Sequence, residues 1–222
     1  MMTEFTEFPK IARLSRDIIV SEKIDGTNAQ VYIEPLPTEH GLCAGGITNC
    51  VAVVGNLAIF AGSRSRWITP DSDNFGFAAW VRDHAEELAL LGPGRHFGEW
   101  WGSGIQRGYG LPKGEKRFSL FNVQRWHLAG HEPHETKSLD PRQPSKFSQE
   151  LPPCCGLVPV LAVAEFSTHI IESCLTDLAT SGSRAAPGFM RPEGVVVYHT
   201  AANTGFKKTL EKDGQPKSQT GG

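Results

Sequence analysis

Apolar residues in this chain fall mostly in short runs with the spacing of β-strands. Such runs occupy 18–24, 27–33, 51–54, 57–61, 96–100, 118–123, 157–163 and 194–198. Two stretches carry helical spacing instead. Residues 77–91 place Ala78, Val81, Ala85, Leu88 and Leu91 along one face and end at Gly92-Pro93. Residues 167–179 start at a Ser/Thr cap, carry Ile170, Ile171, Cys174, Leu175 and Leu178, and stop at Ser181-Gly182. Strands that do not alternate regularly with helices predict an α+β fold built on antiparallel sheets. Polar, Pro-containing segments at 35–49 and 131–153 read as surface excursions, and 214–222 as a disordered tail after a single domain of 1–213. No internal repeat, Walker loop or G-x-S-x-G elbow is present. Gly102-Ser103-Gly104 resembles the start of a dinucleotide fingerprint, but Arg107 stands where its third glycine belongs.

A chain of 222 residues suffices for one large domain with its own core, and 39% hydrophobic with 21% charged residues is ordinary for a globular protein. No apolar run approaches the roughly 20 residues that span a bilayer, and the N-terminus carries acids where a signal peptide carries bases. A cytoplasmic protein is expected, with no membrane partner. Five cysteines, Cys43, Cys50, Cys154, Cys155 and Cys174, form neither a disulfide framework nor a zinc spacing, so free thiols are the expectation. His127, His131 and His134 crowd one polar stretch and lack a metal-binding frame around them. A net charge of −2 advertises no global affinity for nucleic acid. Local charge is uneven: Arg107, Lys113, Lys116 and Arg117 surround Tyr109, and Lys207, Lys208, Lys212 and Lys217 gather near the C-terminus.

The most informative segment is Glu22-Lys23-Ile24-Asp25-Gly26-Thr27-Asn28. Asp-Gly between two strand-like runs is a strong β-hairpin signal, because both residues tolerate positive φ. A lysine two positions before that pair can also be a nucleophile that captures a nucleotide phosphate. Four further clusters contain what such chemistry needs. Gly62-Ser63-Arg64-Ser65-Arg66 supplies cations and hydroxyls for phosphate oxygens. Phe97-Gly98-Glu99-Trp100-Trp101-Gly102 and Arg191-Pro192-Glu193-Gly194-Val195 each put an acid at a strand end, and Phe206-Lys207-Lys208 follows the last apolar strand. Taken singly, each has a plain reading as a solvated strand end or polar edge.

In this order the five motifs resemble the covalent nucleotidyltransferases, in particular the ATP-dependent RNA ligases of the nick-sealing, RNA ligase 2-like branch. The resemblance runs from about Phe8 to Lys212. It implies a nucleotidyltransferase fold with antiparallel sheets flanking an ATP cleft. It also implies that Lys23 attacks the α-phosphate of ATP, expels pyrophosphate and becomes lysyl-AMP. By the same resemblance Asp25 belongs to the catalytic motif, Glu22 contacts the nucleotide and Asn28 orients the phosphates. Arg64 matches the arginine after the first strands, with Arg66 as its neighbour. Glu99 contacts the ribose, Phe121 stacks on adenine, and Glu193 takes the metal-assisted acidic position. Lys207 touches the α-phosphate. The usual last motif is Lys-x-Lys, whereas here Lys207-Lys208-Thr209 leaves open which lysine serves, with Lys207 preferred.

Physical chemistry fits that assignment. An ordinary lysine amine is mostly protonated at neutral pH, and freeing it costs about 4 kcal/mol. Lys207, Arg64 and a bound divalent cation favour the neutral amine, while Asp25 opposes it. A cluster of cations around a lysine makes sense with an anionic triphosphate among them, and Mg²⁺ or Mn²⁺ would be held by oxygen donors such as Glu193. AMP would then pass to an RNA 5′-phosphate, and a 3′-hydroxyl would displace it. DNA nick sealing, GTP-dependent cap formation and a non-catalytic nucleic-acid-binding module of the same fold are the alternatives. The last motif lies near the C-terminus, so the separate C-terminal domain of many relatives is expected to be missing. An accessory protein, or the 107–117 stretch itself, would then grip the RNA.

Overall fold

The computed structural model describes residues 5–36, 47–133, 135 and 148–211. The chain forms two compact units, one from Met1–Lys23 with Pro159–Gly222 and the other from Ile24–Val158. It passes from the first to the second at the Lys23–Ile24 bond and returns at Val158–Pro159.

In the first unit, β1 (Asp17–Lys23), β11 (Val160–Glu165), β12 (Gly194–His199) and β13 (Thr204–Thr209) make an antiparallel sheet in the order β11-β1-β12-β13. Helix α3 (Thr168–Ser181) covers one face. Alternate residues Ile18, Val20, Val195 and Val197 bury themselves there against Cys174, Leu175 and Leu178. The predicted helix is confirmed. The lysine pair follows β12, the last apolar strand, as expected, and lies within a further edge strand, β13, whose polar composition hides it.

The second unit is built on β2 (Thr27–Pro35), β3 (Cys50–Val54), β4 (Leu57–Ser63), β6 (Gly94–Gly102), β7 (Lys116–Leu120) and β10 (Cys155–Leu157), in the order β10-β7-β6-β2-β4-β3, with β5 (Trp67–Ile68) on β4. Only β10 with β7 is parallel in this sheet. The short β8 (Trp126–His127) and β9 (Gln149–Glu150) also pair in parallel. Val31, Ile33, Ile59 and Ala61 pack with Phe77, Val81, Leu88 and Trp100 in its core.

Three expectations are corrected. The helix predicted over 77–91 is two, α1 (Phe77–Asp83) and α2 (Ala85–Ala89). His84 leaves helical geometry at φ −113 and ψ 19 while its Nδ1 binds the Trp80 carbonyl at 2.9 Å. The run 157–163 divides at Pro159, β10 joining one sheet and β11 the other. The Asp-Gly pair does not close a hairpin, because β1 pairs with β11 and β12 whereas β2 pairs with β4 and β6. No described helix is long and apolar enough to cross a membrane. Cys43, His134, Lys212, Lys217 and the 214–222 tail lie outside the described residues, as do large parts of the two excursions.

Candidate active site

Strand alternation decides what the residues of β1 can do. Glu22 and Lys23 are neighbours, so their side chains leave the sheet on opposite faces. Lys23 pairs across with Gly194, and its Nζ donates a hydrogen bond to Glu193 Oε2 at 2.6 Å, with both side chains largely buried. Gly194 is required by close approach: at φ 152 it lets the β13 backbone come so near that a Cβ would lie 2.2 Å from the Lys208 carbonyl oxygen.

Glu22 points to the α3 face and is 1% exposed. Its carboxylate accepts from Ser183 Oγ at 2.6 Å, from the Arg184 amide at 2.7 Å and from the Ala185 amide at 2.9 Å. Three donors thus fix the loop that follows α3 to the strand carrying Lys23. The side chain is committed to the protein, away from the Lys23 face.

Register separates the lysine pair in the same way. Lys207 stands opposite Val196, which stands opposite Ser21, so it shares the face of Lys23 at roughly 12 Å between Cα atoms. Lys208 leaves on the other face and forms an ion pair with Glu172 of α3. Among the described residues the Lys207 side chain has no hydrogen bond or ion pair.

In the second unit the residues after the lysine are held tightly. A Cβ on Gly26 would lie 2.5 Å from the Trp100 carbonyl oxygen and 2.8 Å from Trp101 Cβ, so this glycine is needed for packing rather than for a turn. The Gly26 amide donates to Glu99 Oε1 at 3.1 Å, and Asn28 Nδ2 donates to Glu99 Oε2 at 3.0 Å across the β2–β6 pairing. Arg107 Nε donates to Asp25 Oδ2 at 3.0 Å, and the Asp25 amide donates to the Tyr109 hydroxyl at 2.8 Å. Tyr109 is 2% exposed, its ring edge-on to Trp101.

Arg107 and Tyr109 therefore belong to the motif's support and not to a free basic grip over 107–117. Their neighbours are engaged too, Lys116 with the Phe75 carbonyl and Arg117 with Glu115. The glycine density of 102–114 was the available signal, since Gln106 and Tyr109 adopt positive φ beside Gly104, Gly108 and Gly110 to bend this loop.

A surface cavity of about 470 Å³ is lined by Asn28, Ala29, Gln30, Ser63, Arg64, Phe97 and Phe121. It brings together Asn28, Arg64 and Phe121, three of the expected nucleotide contacts. Strand β7 ends at Leu120, leaving the Phe121 ring 42% exposed. Arg64 has no hydrogen bond or ion pair among the described residues, whereas Arg66 donates to Ser72 O at 3.1 Å and Ser72 Oγ at 3.0 Å. Phe97, half-exposed beside Phe121, joins the lining without having been expected there. Among the described residues no group of three or more His, Cys, Asp or Glu is placed to hold a metal. His127 instead pairs with Ser148 Oγ at 2.9 Å in the interior.

Among curated proteins no match is found. Two solved structures with similar folds are point mutants of the Naegleria gruberi RNA ligase, each with ATP and Mn. One is 19% identical with a TM-score of 0.50, over 87% of this chain and 48% of that one. The other is 17% identical with a TM-score of 0.50, over 88% and 50%. The chain thus spans about half the length of these proteins, and the likeness concerns the fold. The family profile described as RNA ligase matches residues 16–212, nearly all of the sequence. On that match, the chain belongs to the RNA ligase family.

Proposed function

We propose that this protein is an ATP-dependent RNA ligase working through a covalent lysyl-AMP. The observation that carries the reading is Lys23 Nζ held at 2.6 Å from Glu193 Oε2, with the unpaired Lys207 on the same sheet face. Before attack the lysine must give up a proton, and Glu193 is placed to take it or to yield it to solvent. Nζ then forms a bond to the α-phosphorus as the bond to the pyrophosphate oxygen breaks. Lys207 supplies positive charge to the phosphoryl oxygens. An oxygen of the RNA 5′-phosphate next attacks the AMP phosphorus, breaking N–P and restoring the amine. Finally the 3′-hydroxyl oxygen bonds to the 5′-phosphorus and AMP departs with the bridging oxygen.

Arg64 and Asn28 suit phosphate or ribose oxygens, and the exposed Phe121 ring suits a base. Glu99 spans Gly26 and Asn28, so its role at the ribose is exercised from a fixed position. Asp25 acts as a backbone anchor through Arg107 and Tyr109. Glu22 is assigned to positioning, and Lys208 to tying β13 to α3. One carboxylate with phosphate oxygens and water is a common way to hold Mg²⁺, so Glu193 fits a divalent ion that arrives with ATP. Such an ion would neutralise charge on the leaving pyrophosphate.

Intact mass measurement with ATP and Mg²⁺ tests the reading. One AMP is expected on the native protein, removable by pyrophosphate and absent from Lys23→Ala. A folded, initially unmodified protein that gains no adduct with ATP or GTP, in Mg²⁺ or Mn²⁺, would refute it. Nicked RNA and DNA duplexes then separate RNA joining from DNA joining.

A further inference from the structure

Residues 5–16 place residue types with a period of three over four triplets of different sequence: Phe5-Thr6-Glu7, Phe8-Pro9-Lys10, Ile11-Ala12-Arg13, Leu14-Ser15-Arg16. A large apolar residue opens each triplet, and a charged one, cationic in the last three, closes it. The period is neither 2 nor 3.6. It is that of an extended polyproline-type ribbon, in which every third residue returns to the same edge, and Pro9 biases the chain that way.

Residues 5–13 form no helix or strand, and Phe5, Phe8, Ile11 and Leu14 are 88%, 78%, 85% and 63% exposed. The end of the segment is fixed: the Leu14 carbonyl accepts from His199 Nε2 at 2.9 Å and from the Arg16 amide at 2.9 Å, and the Arg16 carbonyl accepts from the Phe166 amide at 3.0 Å.

The side chains of Lys10 and Arg13 have no hydrogen bond or ion pair among the described residues, and the Arg16 guanidinium donates to the neighbouring carbonyl of Ser15. Three cations against Glu7 are therefore exposed to solvent along the segment. The 107–117 stretch, by contrast, spends Arg107, Lys116 and Arg117 on Asp25, Phe75 and Glu115.

We propose that residues 5–16 are the RNA-tracking segment of this protein, with Lys10, Arg13 and Arg16 on phosphates and Phe5 and Phe8 stacking on unpaired bases. The occupant rests on the RNA ligase reading above and on charge complementarity. A row of regularly spaced, unneutralised cations beside aromatic rings is what a single-stranded polyanion requires. The first six residues of β1 separate Arg16 from Lys23, roughly 20 Å of strand. The segment thus meets the RNA away from the reacting end, and the adenylylation step is indifferent to it.

The test is fluorescence anisotropy of the full chain with a labelled, 5′-phosphorylated single-stranded RNA, without ATP, between about 50 and 200 mM salt. AMP-adduct formation is measured in parallel. Replacing Lys10, Arg13 and Arg16 with serine is expected to flatten the slope of log affinity against log salt by about 2, three contacts at about 0.7 each. At about 0.1 M salt this is roughly a hundredfold loss. Phe5→Ala with Phe8→Ala is expected to lose roughly tenfold with the slope unchanged. Serine at Lys113, Lys116 and Arg117 is expected to change the slope less than the first set does, and adduct yield stays at the native level in all three.

Native slope and affinity in the Lys10/Arg13/Arg16 variant would overturn the proposal and leave the apolar edge to a protein groove. A native protein that binds RNA through this segment but forms no adduct would spare the proposal and remove the catalytic reading instead.

Discussion

Replacing Glu22 separates two roles for the residue beside the nucleophile. If its carboxylate is a structural anchor, Glu22→Ala strips three donors of their acceptor at a site that is 1% exposed. Hydrogen bonds to a charged group contribute about 1.5–3 kcal/mol each. The three share one loop and do not add fully, so a loss of about 4 kcal/mol is expected. At about 2–4 °C per kcal/mol for a chain of this size, the melting temperature should fall by roughly 8–16 °C. Glu22→Gln keeps one acceptor for the Arg184 and Ala185 amides and turns its NH₂ toward Ser183 Oγ. About 1–2 kcal/mol is then lost, or roughly 2–8 °C.

The assay is thermal unfolding of the ATP-free protein, followed by adenylylation at increasing ATP. A nucleotide ligand would behave oppositely, with unchanged melting without ATP and a raised KM. Melting of Glu22→Ala within about 2 °C of the native protein would refute the anchor.

Lys207→Ala should slow adenylylation on the order of a hundredfold or more. Lys208→Ala, which breaks an exposed ion pair with Glu172, should cost under about 1 kcal/mol of stability and leave the rate within a few-fold; equal rate losses in single-turnover assays would contradict the register assignment. Gly26→Ala puts a Cβ 2.5 Å from the Trp100 carbonyl and should destabilise by about 2 kcal/mol or more in urea, whereas near-native unfolding would show that β6 can retreat. Burial lowers the His96 pKa from 6.5 to about 4, against the hydrogen bond to Gly92 that raises it. The unfolded chain therefore binds the proton first, so this stabilisation is complete above pH 6.5 and is lost as pH falls toward 4, by about 2 kcal/mol at pH 5. Urea midpoints of the native protein should approach those of His96→Gln between pH 7 and 5, and a constant difference would exclude the effect.

The parts of the fold that were legible are those in which local periodicity and burial coincide. The α3 stripe of Cys174, Leu175 and Leu178 and the apolar run of β12 are of this kind. Strand β13 was not, because Thr204–Thr209 is an edge whose polar composition carries no period. The break at His84 turns on one side chain bonding to a carbonyl, which no stripe encodes. In the candidate site the chemistry-bearing types were legible, but Arg107 and Tyr109 reach Asp25 across more than eighty positions and look like surface charge from the sequence.

Register was the missing quantity, and once known it decides more than proximity does. Adjacent residues on a strand cannot share a face, so Glu22 and Lys23 divide into anchor and nucleophile, and Lys208 and Lys207 into clip and free cation. Strands β1 and β13 each pair antiparallel with β12 and so run parallel to each other, with Glu22 and Lys208 both opposite Val195. That register puts Lys23 and Lys207 on one face and both structural partners on the other. Moving the pair one residue along β13 would exchange their roles while leaving the composition unchanged. In a variant that inserts one alanine between Phe206 and Lys207, adenylylation should therefore depend on Lys208 and no longer on Lys207. Continued dependence on Lys207 would mean that the side-chain stems, not the strand register, select the working lysine.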